Sequence, residues 1–181
     1  MRRLILLLAV CLSAVCAASA AIPADSVADS RVHFAWGADF GSSIDLSAHD
    51  MSSIDFNAAF GIRYRWITFF GLGAGADIMV SNSCRTYPVF ATFRTSFSPR
   101  PKIMFMDLRG GVALNYLPHN IQQTGAYVSA AVGFNLARSR KFTSYITAGY
   151  TLVTRSEVTN ETGTQPYDNL NYAAIRLGVQ F

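Results

Sequence analysis

The sequence predicts an all-β fold, an eight-stranded antiparallel up-and-down barrel. Only 14% of its 181 residues are charged, whereas 51% are hydrophobic. Lys and Glu, which favour helices, occur only twice each. Thirteen Gly, thirteen Phe and eight Tyr favour strands with aromatic packing. Eight segments also alternate apolar residues with small or polar ones at a period of two, which is the pattern of β-strands.

The first twenty residues have the pattern of a cleaved secretory signal peptide. Arg2 and Arg3 precede an apolar run, and the segment ends in the small residues Ala18-Ser19-Ala20. An uncleaved membrane anchor is disfavoured, because a membrane span needs about 20 apolar residues and the apolar run of this segment is shorter. Cleavage after Ala20 leaves 161 residues with a net charge of +2, too small an excess to indicate a nucleic-acid partner.

The eight alternating segments define the predicted strands and the connections between them. In the first, the apolar residues Val32, Phe34 and Trp36 face one way while His33 and Ala35 face the other. The predicted strands are 32–41, 53–66, 70–80, 87–97, 103–116, 125–137, 142–153 and 170–181. Short connections (67–69, 98–102, 138–141) alternate with long ones (42–52, 81–86, 117–124, 154–169), so an up-and-down barrel places all short turns at one end. Pro88 is the second residue of its predicted strand, or the strand begins at Val89.

The polar face of these strands is expected to line the inside of the barrel. A soluble barrel would instead bury its apolar face and carry charge outside. Aromatic residues cluster at both ends of the apolar face, which is typical of the girdles of transmembrane barrels. Glycine residues on the polar face leave room in a narrow interior. The balanced numbers of Arg and Asp on that face allow the charges to form ion pairs there. The predicted lumen charge network comprises Asp39, Asp55, Arg63, Arg65, Asp77, Arg94, Asp107, Arg109 and Arg176.

The last strand carries a resemblance to a known family. Ile175, Leu177, Val179 and Phe181 alternate to the end of the sequence, and this segment resembles the C-terminal strand that serves as the assembly signal of outer-membrane barrels. With the signal peptide and eight strands, the chain resembles the small OmpA/OmpX-type barrels. The resemblance implies a Gram-negative outer membrane, periplasmic termini and short turns, and long loops at the cell surface. It also implies contact with outer-membrane lipid and lipopolysaccharide, and with the barrel-assembly machinery and periplasmic chaperones during biogenesis.

The predicted organisation is a signal peptide at 1–20, a short periplasmic segment at 21–31 and the barrel at 32–181. Cys84 is the sole cysteine left after cleavage, so no internal disulfide can form. Functional residues concentrate in loops held by rigid scaffolds, and the longest polar connection is therefore the candidate interaction loop. Its polar residues are Arg155, Glu157, Asn160, Glu161 and Asp168.

No residue pattern predicts an enzyme, a cofactor or a metal. The alternating glycines of 71–75 lie within a strand, whereas a dinucleotide-binding loop opens a helix. The loop residues His49, Asp50, Ser52, Ser53 and His119 form no recognisable triad or metal-ligand spacing. We expect a structural or surface-interaction protein. The alternatives are a narrow passive diffusion channel, a lipid A-modifying enzyme and a secreted soluble barrel.

Overall fold

A closed antiparallel barrel of eight strands confirms the predicted fold class. The computed structural model describes residues 32–46, 52–64, 67–80, 84–97, 103–117, 121–139, 141–155, 158–160, 163–165 and 169–181. The barrel strands are β1 (His33–Asp45), β2 (Ser53–Tyr64), β3 (Ile67–Met79), β4 (Arg85–Ser96), β5 (Met104–Leu117), β6 (Ile121–Arg138), β7 (Thr143–Val153) and β10 (Leu170–Gln180). Within these ranges, no helix is long and apolar enough to cross a membrane.

Each strand pairs with its neighbours in sequence, and the first pairs with the last. The β1–β10 register runs from Gly37 opposite Gln180 to Asp45 opposite Tyr172. Phe181 extends this seam, because its N–H donates to the Trp36 carbonyl at 2.8 Å and its carbonyl accepts from the Trp36 N–H at 3.3 Å. The barrel therefore has no open edge along the seam.

Successive residues of each strand face the outside and the inside of the barrel in turn. Thirty large apolar or aromatic side chains among the described residues are exposed on the barrel, including Phe40, Leu72 and Val128. The residues between them in sequence point inward, and many of those are polar or charged. The predicted direction of the apolar face, outward, agrees with this burial pattern. We call the exposed apolar surface the belt.

Several predicted boundaries are wrong at the strand ends. Residues 117–124 were predicted as a long loop, but β5 and β6 continue through them and leave 118–120 as the connection. Residues 67–69 were predicted as a turn, yet β3 begins at Ile67 and Phe69 is buried. Pairing with neighbouring strands supplies hydrogen bonds that local alternation does not reveal, which explains both extensions.

Pro88 lies well inside β4, which begins at Arg85 and not at Val89. The β3–β4 register passes from Ala74 opposite Val89 to Asp77 opposite Thr86, so pairing is interrupted beside the proline. Proline has no N–H to donate, and the interruption accommodates this missing donor.

The connection 154–169 was predicted without strands, but it contains a short hairpin. Its strands are β8 (Val158–Asn160) and β9 (Gly163–Gln165), which pair with each other in a separate two-stranded sheet. The structure therefore has ten strands among the described residues, eight of which form the barrel.

Glycines make room for aromatic rings inside the barrel. Phe105 is directly opposite Gly133, Tyr145 opposite Gly178, and Phe90 opposite Gly73. A Cβ atom at Gly73 would lie 2.7 Å from the Phe90 ring, and the other two glycines are equally covered by their partner rings. The rings fill the interior because the neighbouring strand has no side chain at that position.

The two ends of the interior differ in character. We call the end where β2 joins β3, β4 joins β5 and β6 joins β7 the short-turn end, and the opposite one the loop end. An apolar cluster fills the interior toward the loop end. Its members are Met79, Cys84, Phe90, Ala113, Tyr127, Val153, Leu170 and Tyr172.

Candidate functional site

The lumen holds a set of charged side chains that come from strands on all sides of the barrel. Asp39 lies on β1, Asp55 on β2, Arg94 on β4, and Asp107 and Arg109 on β5. Arg176 lies on β10. All six are at least 94% buried, because each occupies an inward position of its strand.

Four of these residues form one chain of ion pairs across the lumen, which we call the central network: Arg94, Asp107, Arg109 and Asp39. The Arg94 Nη2 donates to Asp107 Oδ2 at 2.7 Å, and the Arg109 Nη2 donates to the same oxygen at 3.1 Å. Arg109 also donates to both oxygens of Asp39, at 2.6 and 3.3 Å. This bidentate pair joins β5 to β1 on the far side of the barrel.

Neutral groups satisfy most of the remaining hydrogen-bonding capacity of the carboxylates. Thr92 donates to Asp107 Oδ1 at 3.0 Å, and the Asn57 amide donates to Asp39 Oδ1 at 2.9 Å. The Tyr145 hydroxyl donates to Asp39 Oδ2 at 3.4 Å. Buried charges are costly unless they are paired and hydrogen-bonded, and these contacts meet that requirement.

Aromatic rings surround the two arginines of the central network. The Arg94 guanidinium carbon lies 4.3 Å from the Tyr145 ring centroid and 5.0 Å from that of Phe105. Arg109 lies 5.2 Å from the Phe90 centroid. Such cation–π contacts are favourable when the cation is desolvated, so the rings stabilise the charges while filling the lumen.

A second ion pair lies nearer the loop end. The Arg176 Nε donates to Asp55 Oδ2 at 3.1 Å, and its Nη2 donates to the Thr151 hydroxyl at 3.1 Å. Ser43 and Ser53 donate to the two oxygens of Asp55, at 2.6 and 3.1 Å. This pair joins β10, β7, β1 and β2, so it closes a second level of the lumen.

Two predicted members of the charge network that the structure describes do not belong to these ion pairs. Arg63 is half-buried at the short-turn end, where Arg138 is its charged neighbour, and it forms no ion pair among the described residues, so its predicted pairing in the lumen is not confirmed. Asp77 lies directly opposite Asp55 on the β2–β3 pair, and no ion pair is formed by its carboxylate within the described part of the chain. Arg65 lies outside the described residues. The described interior therefore holds four aspartates and the three arginines of these ion pairs, together with the buried Arg155 at the loop end.

Side chains leave little free space at the level of the central network. A cavity of about 10 Å³ lies among Asp39, Arg94, Arg109, Tyr145 and Gln180. This volume is about that of one water site. Arg94 Nη1 donates to Gln180 Oε1 at 3.2 Å, and Gln180 Nε2 donates to the Thr68 carbonyl at 3.0 Å. The network and its neutral neighbours thus occlude the lumen.

The structure describes only some residues of the predicted interaction loop. Arg155 is buried, with 9% of its surface exposed, and its backbone N–H donates to Asn169 Oδ1 at 3.3 Å, so its side chain offers little surface to an interaction partner. Asn160 ends β8. Glu157, Glu161 and Asp168 lie outside the described residues, as do Arg2, Arg3 and all of 1–31, His49, Asp50 and His119. Within the described ranges, no group of His, Cys, Asp and Glu could hold a metal ion.

Sequence reasoning did not assign Tyr145, Asn57, Thr92 and Gln180 to the charge network. All four occupy the inward phase of their strands, and that phase was the available signal. Their roles depend on which strands face each other across the lumen, and alternation within one strand does not contain this information.

An apolar belt outside and paired charges inside define the class of protein: a β-barrel of the transmembrane type. No protein-family model matches the chain, and no curated protein matches it. Among solved structures, the chain is similar to Neisserial surface protein A (NspA), with a TM-score of 0.49 and 14% sequence identity, over 82% of this chain and 95% of that one.

Proposed function

We propose that this chain is an integral outer-membrane protein with a lumen filled by its own side chains, and that it has a structural or surface-interaction role. The observation that supports this most is the combination of an exposed apolar belt with a charged, occluded interior. Water cannot solvate the belt favourably, whereas hydrocarbon can. Inside the barrel, ion pairs fill the central level of the lumen and an apolar cluster fills the interior toward the loop end.

The occluded lumen favours this role over a diffusion channel. The central network connects β5 with β1 and β4, and rings and amides fill the space beside it. A solute would have to break several charge-assisted hydrogen bonds to pass. We therefore expect no steady conductance when the pure protein is added to planar bilayers. Stable single-channel steps from the wild-type chain would contradict the sealed lumen and favour the channel.

The surface role is assigned to the loop end, where the connection 154–169 forms its own hairpin apart from the barrel. The same proposal includes further predictions. These are export by the signal peptide, periplasmic termini, contact with lipopolysaccharide, and recognition of Phe181 by the assembly machinery with periplasmic chaperones. We also propose that the chain is not an enzyme.

The test of membrane insertion is heat-modifiable gel migration of detergent-extracted protein, with fractionation of the expressing cells. We expect folded and boiled samples to migrate differently, and the folded form to be in the outer-membrane fraction. As a control, the same protein is extracted without detergent. A folded chain that stays in the aqueous fraction without detergent would refute the proposal and indicate a soluble barrel.

A further inference from the structure

The short-turn end of the barrel carries three cations that have no acidic partner among the described residues. Arg63 lies on β2 near this end, Arg138 ends β6, and Lys141 lies in the connection from β6 to β7. Arg138 and Lys141 are exposed, and Arg63 is half-buried. None of these three, which we call the rim cations, belongs to the ion pairs of the described structure. The lumen arginines differ in this respect, because each of them contacts a carboxylate.

The strands and connections at this end contain no Asp or Glu that could compensate the rim cations, and the acidic residues that precede β1 in the sequence are Asp25 and Asp29. Arg138 is close enough to Arg63 for the two positive charges to repel each other. The acidic side chain of Asp45 lies instead at the loop end of β1. Asp and Glu are absent from all the segments that form the short-turn half of the strands and their connections: 32–38, 59–73, 92–106, 131–147 and 177–181.

The rim cations lie at the edge of the belt. On β6, Phe134 and Leu136 are exposed on the outer face, and Arg138 follows at the same phase. Phe142 packs near Phe181, with ring centroids 6.1 Å apart. Aromatic residues at the ends of membrane barrels lie at the level of the lipid headgroups. The long stems of Arg and Lys can lie along apolar surface while the charge reaches those headgroups.

We propose that the short-turn rim binds the phosphate groups of anionic phospholipids, with Arg138 and Lys141 in direct contact and Arg63 adding to the positive potential. A guanidinium group matches a phosphate geometrically as well as in charge. Anionic lipid attracts basic residues that lie near the membrane surface. Because this inference requires insertion in a bilayer, it depends on the proposed membrane function.

The experiment uses tryptophan quenching by lipids with brominated acyl chains. Trp36 is 42% exposed and stacks on Phe181 at 4.4 Å, so it reports on lipid at this end. The full chain with Trp66→Phe is reconstituted in mixed phosphatidylglycerol and phosphatidylcholine vesicles, with bromine on one lipid at a time. We expect brominated phosphatidylglycerol to quench Trp36 more strongly than its bulk fraction predicts.

Substitutions locate the effect. Arg138→Gln should lower the preference for phosphatidylglycerol by about fivefold. Lys141→Gln lies outside the strands and provides a second variant that leaves strand pairing intact. Arg85→Gln is the matched control, because Arg85 is an exposed arginine at the loop end of β4. Salt at 1 M should abolish the preference, since the screening length is then about 3 Å.

The outcomes separate the two proposals. Equal quenching by the two brominated lipids, or an Arg85→Gln loss as large as that of Arg138→Gln and Lys141→Gln, would overturn the lipid site while leaving membrane insertion intact. Absence of quenching by either lipid would overturn the membrane function itself.

Discussion

Arg109 is the residue whose removal tests the central network most directly. Arg109→Ala removes the cation that contacts both Asp39 and Asp107. Asp107 retains Arg94 and Thr92, but Asp39 keeps only its neutral donors. Removing one partner of a buried ion pair costs about 3 to 5 kcal/mol, because the other charge stays buried without compensation. We expect a loss of this size in the free energy of unfolding.

The measurement is a urea titration of protein folded in vesicles, followed by tryptophan fluorescence and gel migration. Arg85→Ala is the control, since it removes an exposed arginine and should change stability by less than about 0.5 kcal/mol. Arg109→Met restores much of the volume without the charge and should remain destabilised.

A double substitution tests whether charge is the cause. Arg109→Met with Asp39→Asn removes one charge of each sign, so it should be more stable than the sum of the two single effects predicts, by about 0.5 to 3 kcal/mol. If Arg109→Ala were no more harmful than Arg85→Ala, or if the two single effects were simply additive, the ion pairs would not stabilise the barrel.

Three further predictions concern the belt, the seam and the thiol. Replacing Ala130 or Leu108, which are exposed and directly opposite each other in the β5–β6 register, with Arg should cost about 2 to 4 kcal/mol in vesicles; unchanged urea midpoints for both would contradict a lipid-facing belt. Deleting Phe181 should reduce the outer-membrane yield more than Phe181→Ala, because the deletion removes the backbone pairing with Trp36 and the alanine removes only the ring stacking; equal yields of the deleted and intact chains would argue against the assembly signal. Burial raises the pKa of the Cys84 thiol, so less thiolate is present at pH 8 and alkylation by iodoacetamide should be at least about tenfold slower in the folded than in the urea-unfolded chain, whereas equal rates would show that the thiol is exposed.

The sequence by itself determined the number of barrel strands and the face that each side chain occupies. A period of two assigns residues such as Asp107 and Leu108 to opposite faces, whatever their partners. The scarcity of Lys and Glu and the aromatic ends of the strands then indicated that the apolar face points outward. These are local properties, and they are readable from residues close together in the chain.

The tertiary structure decided which inward residues meet. Arg109 contacts Asp39, seventy positions earlier in the chain, because closure of β1 on β10 fixes the register around the whole barrel. The same closure leaves Arg63 at the rim and buries Arg155, although both were predicted otherwise. Strand phase specifies a direction, but it gives no height along the barrel axis and no opposite strand. Ion-pair partners depend on both, so only the closed barrel could assign them.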